Sequence, residues 1–132
     1  MDKKAIQSSR IFIVQKLYGH HLNKESEITF PRHRYKKFIK DVVNGTIERK
    51  ELIQDIMDKE LKEDIHANKT DLLTKLMIMA AIYEFMYMHK TPVKVVIAEY
   101  LKASDFFVNV SQKKFLNAVL DKISKLSRVK NV

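Results

Sequence analysis

Two lysine pairs carry the first chemical signal in this chain, Lys3-Lys4 and Lys113-Lys114, each at a point where a helix is expected to begin. The N-terminus of a helix presents N–H groups without intrahelical partners and about half a positive charge. Acidic side chains belong there, and lysine costs roughly 0.3–1 kcal/mol unless an anion sits nearby. In a chain of formal charge +9 the pairs read either as solvated surface lysines or as anchors for a phosphate-rich partner. The remaining reactive residue types assemble into less. His20 and His21 are adjacent, so on a helix their side chains diverge by about 100° and do not readily share a metal. His33, His66 and His89 stand far apart with no matching carboxylates. Glu84 lies inside an apolar run, the setting that shifts a carboxyl pKa. The simpler reading makes it a carboxylate at the helix surface meeting a neighbouring cation. There is no cysteine nucleophile, and two glycines do not build a phosphate-binding loop. No general acid/base pair forms, so the expectation is a protein that is not an enzyme, with no metal and no cofactor.

Something must position these residues, and the composition says what kind of scaffold it is. With 132 residues and 45% hydrophobic side chains, the chain can bury one core, and a single domain over 1–132 with a basic tail from about 127 is expected. The absence of cysteine fits a reducing cytoplasm. The polar start predicts no signal peptide, and no run approaches the ~18 apolar residues that span a bilayer. A pI near 9.7 favours an acidic partner, nucleic acid before an anionic membrane surface. The charge is uneven. Arg32, Arg34, Lys36, Lys37 and Lys40 crowd one decade without an acid, and the tail is basic, whereas acids predominate between Ile47 and Asp71. That asymmetry fits a binding face opposite a solvated one.

Helical spacing recurs along the chain, and no period of two is sustained, so the fold class is all-α. Ile6, Ile13, Val14, Leu17 and Tyr18 stripe a first helix that should stop near Gly19. Pro31 suits the first turn of a second, which carries Tyr35, Phe38, Ile39, Val42 and Val43 and is stopped by Asn44-Gly45. Leu52, Ile53, Ile56 and Met57 mark a third helix, reaching towards Leu61. A fourth, from Thr70-Asp71 to about His89, is apolar nearly all round, which predicts a central element surrounded by the others. Thr91 and Pro92 form an N-cap and first-turn pair for a fifth helix, and Ser111 is the expected N-cap of the last.

Five short runs in this order resemble the NusB family of bacterial antitermination factors. Val14-Gln15-Lys16-Leu17-Tyr18 is similar to its valine-glutamine-x-leucine-tyrosine signature, and Val42-Val43-Asn44-Gly45 brings a glycine before the third helix. Ala81-Ile82-Tyr83-Glu84-Phe85 is similar to its alanine-x-tyrosine-glutamate-leucine run. The stretch from Pro92 to Glu99 and that from Lys114 to Asp121 resemble the last two. The chain departs from the pattern at Ile11, where the family has an acid, and at Met79, where it has an arginine. It departs again at Ala98 in place of asparagine and at Ala118 in place of glycine.

The resemblance implies a NusB-like fold of about six to seven helices, as two crossed three-helix bundles around the apolar helix. It implies binding of single-stranded boxA-type RNA together with NusE, a small-subunit ribosomal protein. The RNA polymerase elongation complex would be contacted indirectly, to promote read-through in ribosomal RNA operons. On this reading Lys3, Lys4, Arg10, Lys113 and Lys114 hold phosphates, and Gln7 and Gln112 bond base edges. Phe115 is either a stacking platform for an unpaired base or a core residue of the apolar stripe. Tyr18 is either a partner-facing tyrosine or a core tyrosine with a wet hydroxyl, and Glu84 adds a charge to the partner face. The departures motivate an alternative, a protein-interaction homologue with weakened RNA recognition. A basic peripheral membrane protein is a third reading, with no membrane partner as the expectation. Monomer and homodimer both remain open.

Overall fold

The computed structural model describes residues 8–62 and 70–130, with side chains described as far as Leu126. Within these residues the chain forms six α-helices: α1 (Ser9–Leu22), α2 (Lys36–Glu48), α3 (Lys50–Leu61), α4 (Leu72–Tyr87), α5 (Val93–Phe107) and α6 (Val110–Lys130). The all-α reading is correct, and α4 packs against each of the other five helices. Met77, Ile78, Ala80, Ala81, Ile82 and Phe85 of α4 are fully buried, so most of its apolar surface is withdrawn from water. At ~1.5–3 kcal/mol for each large side chain removed from water, this helix supplies the largest share of the hydrophobic stabilisation. One group, α1–α3, lies against it, while α4, α5 and α6 pack mutually.

Several helix ends differ from the sequence expectation, each for a local reason. Gly19 and Gly45 end neither helix, because no glycine adopts positive φ and so neither supplies a left-handed cap. The first helix runs on to Leu22, where the Asn23 N–H bonds back to the Gly19 carbonyl. Gly45 lies inside α2 and is buried. A Cβ there would clash with the Tyr83 ring, so glycine admits an aromatic side chain of α4 against the α2 backbone. Pro31 does not open α2. An irregular stretch follows it, with the Tyr35 N–H donating to His33 Nδ1 at 2.9 Å, and the helix starts at Lys36.

The fourth helix starts where the sequence put it, next to Thr70-Asp71, and the structure shows Asp71 as its cap, accepting from the Thr74 N–H at 2.8 Å. The fifth helix begins one residue later than expected, with Pro92 at the cap position. The sixth begins earlier, and its cap is Asn109, whose Oδ1 accepts from the Gln112 N–H at 2.9 Å, so Ser111 is already inside the first turn.

Candidate nucleic-acid interface

Lys3, Lys4 and Gln7 lie outside the described residues. Of the others, Arg10 is the best defined, and its geometry is not that of an exposed phosphate ligand. It sits in the first turn of α1, where its side chain is only 11% exposed, against a fully buried Glu84. Its Nε donates to Glu84 Oε2 at 3.2 Å, and Nη2 donates to Oε1. The guanidinium stacks 4.7 Å from the Phe38 ring centre and 5.8 Å from that of Tyr100. Tyr100 is itself fully buried and couples electrostatically to both ions. The arrangement is a forked ion pair walled by two aromatic rings, joining α1, α2, α4 and α5 at one end of the central helix.

Two sequence expectations change here. Glu84 meets a cation, as the simple reading required, but in the interior and not at the helix surface. With no exposed surface it offers no charge to a partner. The charge of Arg10 is already engaged. Its role in this structure is to neutralise a buried carboxylate and fix the start of α1. Burial pushes the Glu84 carboxyl upward, and Arg10 pulls it back only in part. Burial works to lower Arg10, but the charge of Glu84, that of Tyr100, the hydrogen bond to Glu84 and the charge of Glu99 together outweigh it and hold the guanidinium above its ordinary value.

The second lysine pair is placed differently from expectation. Because α6 starts at Val110, Lys113 and Lys114 fall in its second turn and not among the unpaired N–H groups. Lys113 Nζ bonds Asp105 Oδ1 at 2.8 Å, which ties the end of α5 to the start of α6. Lys114 is exposed, with no ion-pair partner among the described residues. The Gln112 side-chain oxygen accepts from the Asp71 N–H at 3.4 Å, so the start of α6 sits beside the start of α4. Arg10 touches the other end of α4, at Glu84. Thirteen residues of helix separate these points, about 20 Å. The structure therefore does not bring Arg10 and the Lys113-Lys114 pair together.

Phe115 is half-buried and packs against the core, combining its two expected environments. Tyr18 is 38% exposed on the last turns of α1. Arg32, Arg34, Lys36, Lys37 and Lys40 are exposed, and Lys37 pairs with Asp41 at 2.9 Å. Phe38 and Tyr100, which wall the ion pair, were not singled out by the sequence. Their signal was only that each belongs to an apolar helical stripe. No group of acids, histidines or cysteines among the described residues is arranged to hold a metal ion, and no described helix is long and apolar enough to cross a membrane.

Fold and site together define an all-α protein of basic character, built around one apolar helix and braced by a buried ion pair. The chain belongs to the NusB family, whose model matches residues 7–125. Among curated relatives, the Mesorhizobium japonicum transcription antitermination protein NusB is 26% identical, over 81% of this chain and 69% of that protein. The Rickettsia akari protein of the same name is 33% identical, over 65% of this chain and 55% of that protein. The chain thus spans between about half and somewhat more than two thirds of the length of these relatives. Among solved structures, T. maritima NusB superposes with a TM-score of 0.77 at 18% identity, covering 95% of this chain and 93% of that one, a likeness of fold.

Proposed function

We propose that this chain is a transcription antitermination factor that binds single-stranded boxA-type RNA together with a NusE-like ribosomal protein, in the bacterial cytoplasm, and promotes read-through in ribosomal RNA operons. The observation that carries the reading is family membership across residues 7–125, a span that includes both the start of α1 and the cationic start of α6. Lys114, and Lys113 beside it, are the described residues we assign to phosphate contact. The exposed part of the Phe115 ring can stack on an unpaired base. Gln112 lies in the same turn, within reach of a base edge. Tyr18 is assigned to the protein partner, an amphipathic side chain of the type that interfaces favour. Arg10 and Glu84 serve this reading indirectly, as the brace that orients α1. Neither catalysis nor a cofactor has a role in it.

The engagement of Arg10 and the ~20 Å between its end of α4 and the start of α6 favour one rival, an interaction homologue that keeps the protein partner and reads RNA weakly. Fluorescence anisotropy separates the two. A boxA-type strand and a scrambled strand are titrated at two salt concentrations, with and without a NusE-like protein. A boxA preference that tightens with the partner supports the first reading. Equal, salt-sensitive binding to both strands, with the protein partner still bound, supports the rival.

A further inference from the structure

A cavity of about 240 Å³ lies between α1, the α2–α3 junction and α4, well away from the buried ion pair. Its volume is just below the roughly 300–1,000 Å³ typical of sites for drug-sized ligands. Its floor is aliphatic and thioether, with Leu17, Met57, Leu76 and Met79 among the lining side chains. Its polar lining is cationic or neutral. Lys24, Lys50 and Lys75 stand around it, His20 and His21 lie on the α1 side, and no described carboxylate lines it.

Two polar atoms at this cavity have no partner. Thr46, 2% exposed, carries an Oγ1 without a hydrogen bond among the described residues, although a buried hydroxyl left unpaired costs about 1–3 kcal/mol. His20 Nδ1 is likewise buried and unbonded. Both atoms lie beneath the cavity surface, so what faces a ligand is the cationic rim and the apolar floor. Lys24 and Lys50 are exposed and Lys75 is half-buried, so the rim presents positive charge at the mouth of an apolar floor, a combination that favours an anion with a hydrocarbon body.

We propose that this cavity is a binding site for a small amphipathic anion, a monocarboxylate with a short aliphatic or aromatic body. The body lies on the methionine and leucine floor. The carboxylate faces the lysine rim, and its oxygens accept from the lysine ammonium groups. The cations select charge, and the apolar floor selects a hydrocarbon body over a hydrated inorganic ion.

The test uses the full chain with octanoate as probe, followed by calorimetric titration and by chemical-shift changes of the His20 and His21 rings. Octanol and octylamine serve as matched neutral and cationic probes. Saturable octanoate binding that perturbs the histidine rings is expected, with octanol and octylamine much weaker. Lys50→Glu with Lys75→Glu should lower octanoate affinity by roughly tenfold or more. Lys24→Glu, a third rim position that is exposed, should lower it several-fold. The lysine variants change the rim of the cavity and not its core, so the fold is expected to survive them, and an unchanged thermal melt checks this. Absence of saturable binding, equal binding of octylamine, or an octanoate affinity indifferent to the lysine reversals would overturn the assignment.

Discussion

Removing Arg10 should expose what its ion pair does. In Arg10→Met the methionine fills much of the apolar channel between Phe38 and Tyr100, but the fully buried Glu84 carboxylate loses its only ion-pair partner among the described residues. Breaking one side of a buried pair costs about 3–5 kcal/mol, against a total stability of about 5–15 kcal/mol for a native protein. A fall of roughly 10 °C or more in Tm is therefore expected. The cost should depend on pH in a definite direction. Burial already holds the Glu84 carboxyl above its ordinary value, and losing Arg10 removes the charge that pulled it back. A folded-state pKa above the unfolded one means that the folded state binds more protons in the interval between them, so stability falls as pH rises through that interval. The deficit of Arg10→Met should thus be larger at pH 8 than at pH 5. Replacing both partners, Arg10→Met with Glu84→Leu, should recover most of the loss, because no unpaired charge is left inside. Urea denaturation of the four proteins of this cycle at both pH values gives the coupling directly. A deficit below about 1 kcal/mol, one that does not change with pH, or a double variant no better than Arg10→Met would show that the pair is not what braces α1.

Three further outcomes are expected. Gly45→Ala gains about 0.5–1 kcal/mol of helix propensity but drives a methyl into the Tyr83 ring, for a net loss of about 0.5–2 kcal/mol in chemical denaturation; in a Tyr83→Ala background the sign should reverse. Asn109→Ala removes the side-chain cap of α6 and should cost about 1 kcal/mol, whereas Ser111→Ala should be nearly neutral, and thermal melts of the two distinguish the cap residue. Lys113→Glu with Lys114→Glu should weaken RNA binding and flatten its salt dependence in anisotropy titrations. The loss of the exposed Lys113–Asp105 bridge should change stability by less than about 1 kcal/mol, and outright unfolding would mark those lysines as structural.

The sequence by itself determined the helical class and the central element. Helical periodicity is a local property, and a run such as Leu76 to Phe85, apolar on every face, has few stable placements except among other helices. The start of α4 beside Thr70-Asp71 was legible for the same reason, while the cap that Asp71 makes to the Thr74 N–H was read only from the structure. The order of the short runs carried family membership, which the match over residues 7–125 shows.

Tertiary structure decided what depends on residues far apart in the chain. Gly45 reads locally as a stop, and only the arrival of Tyr83 from α4 makes it a contact point inside a helix. Arg10 and Glu84 each look like a surface charge with a role toward a partner. Seventy-four positions apart, they neutralise each other in the interior, and no local pattern encodes that choice. The Lys113-Lys114 pair shifted from the first turn to the second because Asn109 outcompeted Ser111 as the cap. Capping preference leaves either residue possible, and only the folded chain shows that Asn109 is the cap. The cavity beneath Lys50 and Lys75 belongs to the same category, since its walls come from four segments that only the folded chain brings together.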